Sequence, residues 1–352
     1  VDAQRPKLVP VDFSQLDGWA EDDHAAAFRA FLKSCRVAPR RDAACTDALA
    51  TDALALGETL DAAAARTFFE GHFVPHVVEA KEPGLVTGYY EPEVRGAYKP
   101  GDRFQVPLYG RPDDLITRAD ETERARFNDR VTGFRATPDG EMPYHTRAEI
   151  EAGALQDRGL ELLYLDDAVD LFYMQVQGSG LVRLDDGTAK RLTYAGKNGH
   201  PYTSIGKVLI ARGELGADDI DMDRVKAWLR ADPERGRALM QENLSYVFFR
   251  VLSETEARDG PLGAAGVSLT PGRSLAIDTA HHGLGTPVFV TTADLNTDEG
   301  QPFRRLMIGQ DVGSAISGSQ RGDIFWGTGE GAGAIAGRTR HKARFHVLLP
   351  KR

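Results

Sequence analysis

The chain has 352 residues, 41 % hydrophobic and 27 % charged, which gives a sizeable core in about two domains and excludes a disordered chain. Its formal net charge of −9 argues against a duplex nucleic-acid binder, which would carry a basic face. No apolar run approaches the ~18 residues of a membrane-spanning helix.

The chain begins at Val1 without Met and reads as a mature or trimmed form. Residues 1 to 20 look irregular. From Asp22 to about Phe73 the pattern is helical: Phe28, Phe31, Leu32 and Cys35 fall at i, i+3, i+4 and i+7, one face of a helix. A second helical stretch runs through Ala53, Leu54 and Leu56, and a third contains Phe68 and Phe69. The spacing of Cys35 and Cys45 permits a disulfide, which would fit an oxidising compartment, and equally permits two unrelated thiols.

At Val86 the character changes. VTGYYEPEVRGAY is rich in β-branched and aromatic residues and broken by Gly and Pro, as in a strand and its exit. Short helices are expected over residues 121–127 and from Thr146, where Glu149 completes a capping-box spacing. DLFYMQVQGSGLVRLDDGTAKRLTYAG reads as strands, two of them joined by the turn Asp185, Asp186, Gly187. Helices follow near Thr203 or Ser204, over Asp219 to Leu229, and from Asp232 with Pro233 in its first turn. After LSYVFFRVL short strands with Gly-rich connections are expected to the end. The fold class is therefore mainly β, a β domain with packed helices plus a separate middle unit.

Three aspartates lie beside strand-like runs in the last third: Asp278 in SLAIDTAHHG, Asp311 in LMIGQDVG and Asp323 in QRGDIFWG. Clustered acids mark function more often than single ones. An aspartic-protease dyad would read Asp, then Thr or Ser, then Gly, and neither Asp278-Thr279-Ala280 nor Asp311-Val312-Gly313 does. Glycoside cleavage needs a carboxyl that keeps its proton near neutral pH, and apolar surroundings raise a carboxyl pKa. Asp323, followed by Ile324, Phe325 and Trp326, has suitable neighbours, although alternate strand residues point opposite ways.

Tyr173, Gln175, Gln177 and Ser179 would share one strand face, where amides and an aromatic ring suit sugar binding; Tyr89 and Tyr90 read the same way. A solvated strand face would look alike. GEGAGAIAG imitates a dinucleotide fingerprint, but too little chain follows Gly337 for a complete βαβ unit. His281 and His282 lack the partner set of a metal site, so no metal and no cofactor is expected.

Together TGYYEPEV, FYMQVQGSGLVRL, YAGKNGHPYTSIGKVLI, NLSYVFFR, GAAGVSLTPGRSLAIDT and QDVGSAISGSQRGDIFWGTGEGAGAIAG resemble the lytic murein transglycosylase A family, in order over most of residues 85 to 340. The resemblance implies a double-psi β-barrel domain interrupted by a smaller β domain, with a glycan strand in the groove between them. On this chain the barrel would take residues 1–106 and 245–352, and the insert 107–244.

It further implies cleavage of the β-1,4 bond between N-acetylmuramic acid and N-acetylglucosamine, leaving a 1,6-anhydro ring. Asp323 would act as acid and then base, with Asp311 and Asp278 as polar neighbours. The implied partners are peptidoglycan glycan strands, not nucleic acid. The implied place is the periplasm, at the outer membrane of a Gram-negative bacterium. Attachment through an N-terminal lipid anchor and membership of cell-wall enzyme complexes stay open. The His281–His282 turn after Asp278 departs from the family pattern. Two rivals remain: a glycan-binding barrel without catalysis, and an aspartic peptidase.

Overall fold

The structure, a computed structural model, describes residues 7–38, 42–54, 60–79, 83–118, 131–217, 220–296 and 301–351. Strand β1 (Lys7–Pro10) precedes three helices, α1 (His24–Val37), α2 (Ala43–Leu54) and α3 (Ala62–His72). Asp23 caps α1 by accepting from the Ala26 N–H, and Asp61 caps α3 by accepting from Ala64. Phe28, Phe31, Leu32 and Cys35 form the expected buried face of α1. Cys35 and Cys45 are joined in a disulfide, S–S 2.02 Å, which fastens α1 to α2. Leu56 and the helix expected over residues 121–127 lie outside the described residues.

The strands that follow are β2 (Phe73–Glu79), β3 (Gly84–Glu91), β4 (Glu93–Ala97), β5 (Val106–Tyr109), β6 (Ile116–Thr117), β7 (Gly133–Thr137), β8 (Gly140–Pro143) and β9 (Glu161–Leu165). Helix α4 (Ala168–Gln177) leads into the hairpin β10 (Ser179–Leu184) and β11 (Ala189–Lys197). Helices α5 (Ile205–Ala211), α6 (Met222–Ala231) and α7 (Pro233–Gln241) come next. The chain ends with β12 (Val247–Val251), β13 (Ser274–Ile277), β14 (Pro287–Asn296), β15 (Pro302–Asp311), β16 (Arg321–Thr328), α8 (Glu330–Arg338) and β17 (Arg340–Pro350).

The chain divides into two compact units. The first comprises Val1–Tyr90, Glu256–Gly327 and Gly331–Arg352, and the second Glu91–Thr255 with Thr328–Glu330. The second unit thus reaches beyond 107–244 on both sides, because β4 and β12 pair into its sheet.

In the first unit one sheet runs β1-β2-β17-β14-β15-β13-β16-β3, and β3 pairs back onto β17. That closes six strands into a barrel and removes their free edges. β13 and β15 are parallel, while β14 is antiparallel to both β15 and β17. Side chains alternate across the wall. Phe289, Leu306, Ile308 and Leu348 pack outward against α1 and α3. Val288, Val290, Phe303, Met307, Phe345 and Val347 form a second cluster with Leu275 and Ile324. Each fully buried side chain of this kind contributes about 1.5–3 kcal/mol. Asp22, at the entry to α1, accepts from both terminal nitrogens of Arg273 at 2.8 Å and from the Leu306 N–H at 2.7 Å.

The second unit holds a six-stranded sheet, β12-β11-β10-β4-β9-β5, and a three-stranded one, β6-β7-β8. Leu108, Leu163, Leu165, Met174, Val182, Leu192 and Phe249 form one core, and Phe172, Leu209, Leu229 and Leu239 a second among the helices. The expected hairpin turn is present, with Gly187 at φ 84° and the Thr188 N–H donating to Asp186. The capping box of Thr146 and Glu149 and the Asp232 cap with Pro233 in the first turn also form as expected.

Three expectations fail. Residues 1–20, expected to be irregular, include strand β1, which pairs with β2. Residues 170–177, expected as a strand, lie in helix α4: Asp167 caps its start through the Val169 N–H, and Gly178 ends it at φ 80°. The Gly-rich stretch 330–338, expected among strands, is helix α8, and a Cβ on its Gly333 would lie 2.9 Å from the Tyr90 ring.

Candidate active site

The barrel register brings two of the three aspartates to one level. Ala276 on β13 pairs with Asp311 on β15 and with Asp323 on β16. Cross-strand partners project to the same face, so both carboxyls flank the small Ala276 side chain. Asp278 follows directly after β13. The local sequence aims Asp311: its neighbour Gln310 is fully buried and donates 2.8 Å hydrogen bonds to the Ala30 carbonyl and to Ser34 Oγ on α1. With Gln310 committed to the helix side, Asp311 takes the opposite face.

Thr87 and Tyr89, two residues apart on β3, serve the two acids. Thr87 Oγ1 donates to Asp323 Oδ1 at 2.5 Å, and Tyr89 Oη donates to Asp311 Oδ2 at 2.8 Å. Arg321 Nη2 donates to Thr87 Oγ1 at 2.8 Å. Asp311 Oδ1 also accepts from the Ala264 and Val312 N–H groups, each at 2.9 Å. Phe325, two residues after Asp323, packs with Tyr89, Ala276 and Ile316, its ring 5.3 Å from that of Tyr89. Ile324 and Trp326 turn to the other cluster, so Phe325 is the apolar neighbour on the acid's own face.

Burial pushes the Asp323 carboxyl up to about 6, helped by Asp311 and opposed by Thr87 and Arg321. Burial also raises Asp311, against the donors Ala264, Tyr89 and Val312. Tyr89 is raised by burial and by Asp311, so its hydroxyl stays a donor. Asp278 differs. Burial would raise it, but N–H donation from Gly318 at 2.7 Å and Ala280 at 3.0 Å, with His281 and His282 nearby, brings it below the usual value. The arrangement therefore offers a carboxyl that titrates close to neutrality, Asp323, whereas Asp278 is held in its ionised form.

His281 Nε2 lies 3.8 Å from Asp278 Oδ2, and His282 Nε2 is 2.7 Å from the Ser319 carbonyl. Among the described residues no three His, Cys, Asp or Glu side chains cluster to hold a metal ion. Tyr90 is buried. Tyr173, Gln175, Gln177 and Ser179 belong to the second unit. Because α4 is a helix, Gln175 leaves the face that Tyr173 and Gln177, four residues apart, have in common. Tyr173 is buried in the helix cluster with Lys226 Nζ 4.9 Å from its ring centre, Gln175 donates to the Val247 carbonyl at 3.1 Å, and Ser179 is buried at the start of β10.

Sequence reading missed Thr87 and Arg321, whose roles depend on a strand pairing with no local signature. It also missed Glu91. That residue is fully buried in the second unit, where it accepts from Arg191 Nε at 2.8 Å and Thr328 Oγ1 at 2.7 Å.

The MltA specific insert domain matches residues 85–250 and the 3D domain residues 273–349. Membrane-bound lytic murein transglycosylase A of Vibrio cholerae is 36 % identical over 269 residues, covering 75 % of this chain and 65 % of that protein. The Escherichia coli K12 protein of the same name is 36 % identical over 267 residues, 74 % and 64 % of the two. The chain thus spans under two thirds of the length of these curated relatives. The crystal structure of membrane-bound lytic murein transglycosylase from Agrobacterium tumefaciens matches with a TM-score of 0.86 at 37 % identity, over 98 % of both chains. MltA from Neisseria gonorrhoeae matches at 0.80 and 32 %, over 99 % of this chain and 92 % of that one. Escherichia coli MltA with bound chitohexaose matches at 0.73 and 29 %, over 99 % and 96 %. With this fold, a double-psi β-barrel carrying an inserted domain, and these matches, the chain belongs to the membrane-bound lytic murein transglycosylase A family.

Proposed function

We propose that this chain is a peptidoglycan lytic transglycosylase. It cleaves the β-1,4 bond between N-acetylmuramic acid and N-acetylglucosamine and leaves a 1,6-anhydro ring, with Asp323 as acid and then base. One observation carries the reading. Asp323 sits on the barrel wall with its carboxyl held up to about 6, so about half is protonated at pH 6 and roughly a tenth at pH 7, far more than for an ordinary aspartate.

Protonated Asp323 gives its proton to the bridging oxygen as the C1–O bond breaks. Positive charge builds at C1. The muramic 6-hydroxyl attacks C1, and the ionised Asp323 takes the hydroxyl proton. No water enters, so no second carboxylate is needed to activate one. Proton transfer of this kind contributes roughly 100- to 10,000-fold; positioning and electrostatics supply the rest. Asp311 and Asp278 act as supporting carboxyls. Tyr89, Tyr90, Tyr173, Gln175, Gln177 and Ser179 are the proposed residues of sugar binding, and of these Gln177 alone is not buried.

Escherichia coli MltA has been crystallised with bound chitohexaose, and the relatives are described as membrane-bound. By extension we assign this chain glycan strands as its partner and the periplasm, at the outer membrane of a Gram-negative bacterium, as its place. A lipid anchor and cell-wall enzyme complexes belong to the same proposal. Among the described residues no helix is long and apolar enough to cross a membrane.

The test is release of soluble fragments from purified sacculi by wild type and by Asp323→Asn. Release by wild type and none by the variant, with both still pulled down by sacculi, supports the proposal. Binding without release by wild type makes the protein a glycan-binding barrel instead.

A further inference from the structure

We infer that Thr87 is a positioning residue that fixes which oxygen of Asp323 carries the catalytic proton, and that this oxygen is Oδ2. The inference rests on the transglycosylase reading and deepens it.

A guanidinium donates and never accepts. Arg321 Nη2 therefore fills one lone pair of Thr87 Oγ1, at 2.8 Å. The hydroxyl has a single hydrogen, and the one acceptor it meets among the described residues is Asp323 Oδ1, at 2.5 Å. If the carboxyl proton sat on Oδ1, aimed at Thr87, the threonine hydrogen would have no acceptor there. The chain Arg321 to Thr87 to Oδ1 thus runs in one direction. Oδ1 accepts, and the proton of the neutral acid sits on Oδ2, which no described group contacts by hydrogen bond.

The consequence is a division of labour within one carboxyl. Oδ1 is the anchored oxygen and Oδ2 the reactive one. The proton leaves Oδ2 for the bridging oxygen as the C1–O bond breaks. When the 6-hydroxyl oxygen bonds to C1, its proton returns to Oδ2. Between these events the carboxylate charge is met by the Thr87 hydroxyl, itself polarised by the Arg321 cation. Arg321 also donates to the Leu85 carbonyl at 3.5 Å and to the Gly322 carbonyl, which holds the guanidinium against both strands. The other charged or titratable groups around the pair are Asp311 on β15, Tyr89 on β3, and Arg340 on β17 acting on Arg321.

The test is the pH–rate profile of sacculus digestion for wild type, Thr87→Val, Thr87→Ser and Asp323→Asn, with thermal melting of each. Thr87→Val keeps the shape of threonine and removes the hydroxyl. We expect it to fold, to lose about 10- to 100-fold in rate through the released carboxyl, and to shift its alkaline limb to higher pH, since the donor that favoured the ionised acid is gone. Thr87→Ser should recover most of the rate and the wild-type limb. An unshifted limb in Thr87→Val, or a serine variant no better than valine, overturns the inference. Should Asp323→Asn remain active, the transglycosylase reading itself fails. An inactive Asp323→Asn with an unaltered Thr87→Val removes this inference alone.

Discussion

Asp311 and Asp323 stand at one level of the barrel wall, each the cross-strand partner of the same residue, Ala276. Burial raises the cost of ionising both carboxyls, and Asp311 adds to it at Asp323. The fold therefore stores a destabilising feature where the chemistry is proposed to occur.

That feature predicts a pH-dependent stability. Asp323 titrates at about 6 in the folded chain against 3.8 as the ordinary value. Between those values the folded state holds the Asp323 proton more tightly, so the contribution of Asp323 to stability falls as pH rises from about 4 to about 6, while His346, lowered to about 4 by burial, contributes the opposite trend. Asp311 is raised and acts in the same sense, whereas the lowered Asp278 opposes it at the acid end. Asp323→Asn removes the Asp323 contribution. Its Tm should exceed that of wild type at pH 7.5, by the equivalent of up to about 3 kcal/mol, and the gap should close by about pH 4. A gap of the same size at both pH values would contradict the assignment.

Tyr89→Phe removes a donor from Asp311 Oδ2 and nothing else from the ring. Asp311 keeps two N–H donors on Oδ1. The loss should destabilise the protein by about 1–2 kcal/mol at pH 7, read as a lower urea midpoint with an unchanged slope. No change in midpoint would mean that the Tyr89 hydroxyl does not hold Asp311.

The Cys35–Cys45 bridge closes a short loop at the outer face of the barrel. Loop-closure entropy for that length gives about 2–3 kcal/mol. Reduction with dithiothreitol, or a Cys35→Ala, Cys45→Ala pair, should lower Tm accordingly. Cleavage by the remaining folded protein should persist, because the bridge touches none of the three aspartates. Loss of activity without loss of fold would show that α1 does more than cover the wall.

Much of the fold was legible in the sequence. The α1 stripe, the Asp185–Gly187 hairpin and the caps at Thr146 and Asp232 all carry their signal within a few residues. Helix α4 did not, because Val169, Leu171, Phe172, Tyr173 and Val176 leave little polar alternation and include strand-favouring types. Its real markers were the flanking Asp167 and Gly178. Helix α8 was hidden by glycines that weaken helix propensity, one of which the Tyr90 ring requires. The three aspartates were visible as acids beside strands. Thr87 and Arg321 were not, since Thr87 meets Asp323 across 236 residues of chain, and only barrel closure brings them together.

The most direct measurement is the mass of the muropeptides released from purified peptidoglycan by wild type and by Asp323→Asn. The account predicts products one water lighter than those of a hydrolase, and none from the variant. Hydrated products from wild type would contradict it and transfer attention to a carboxylate that activates water.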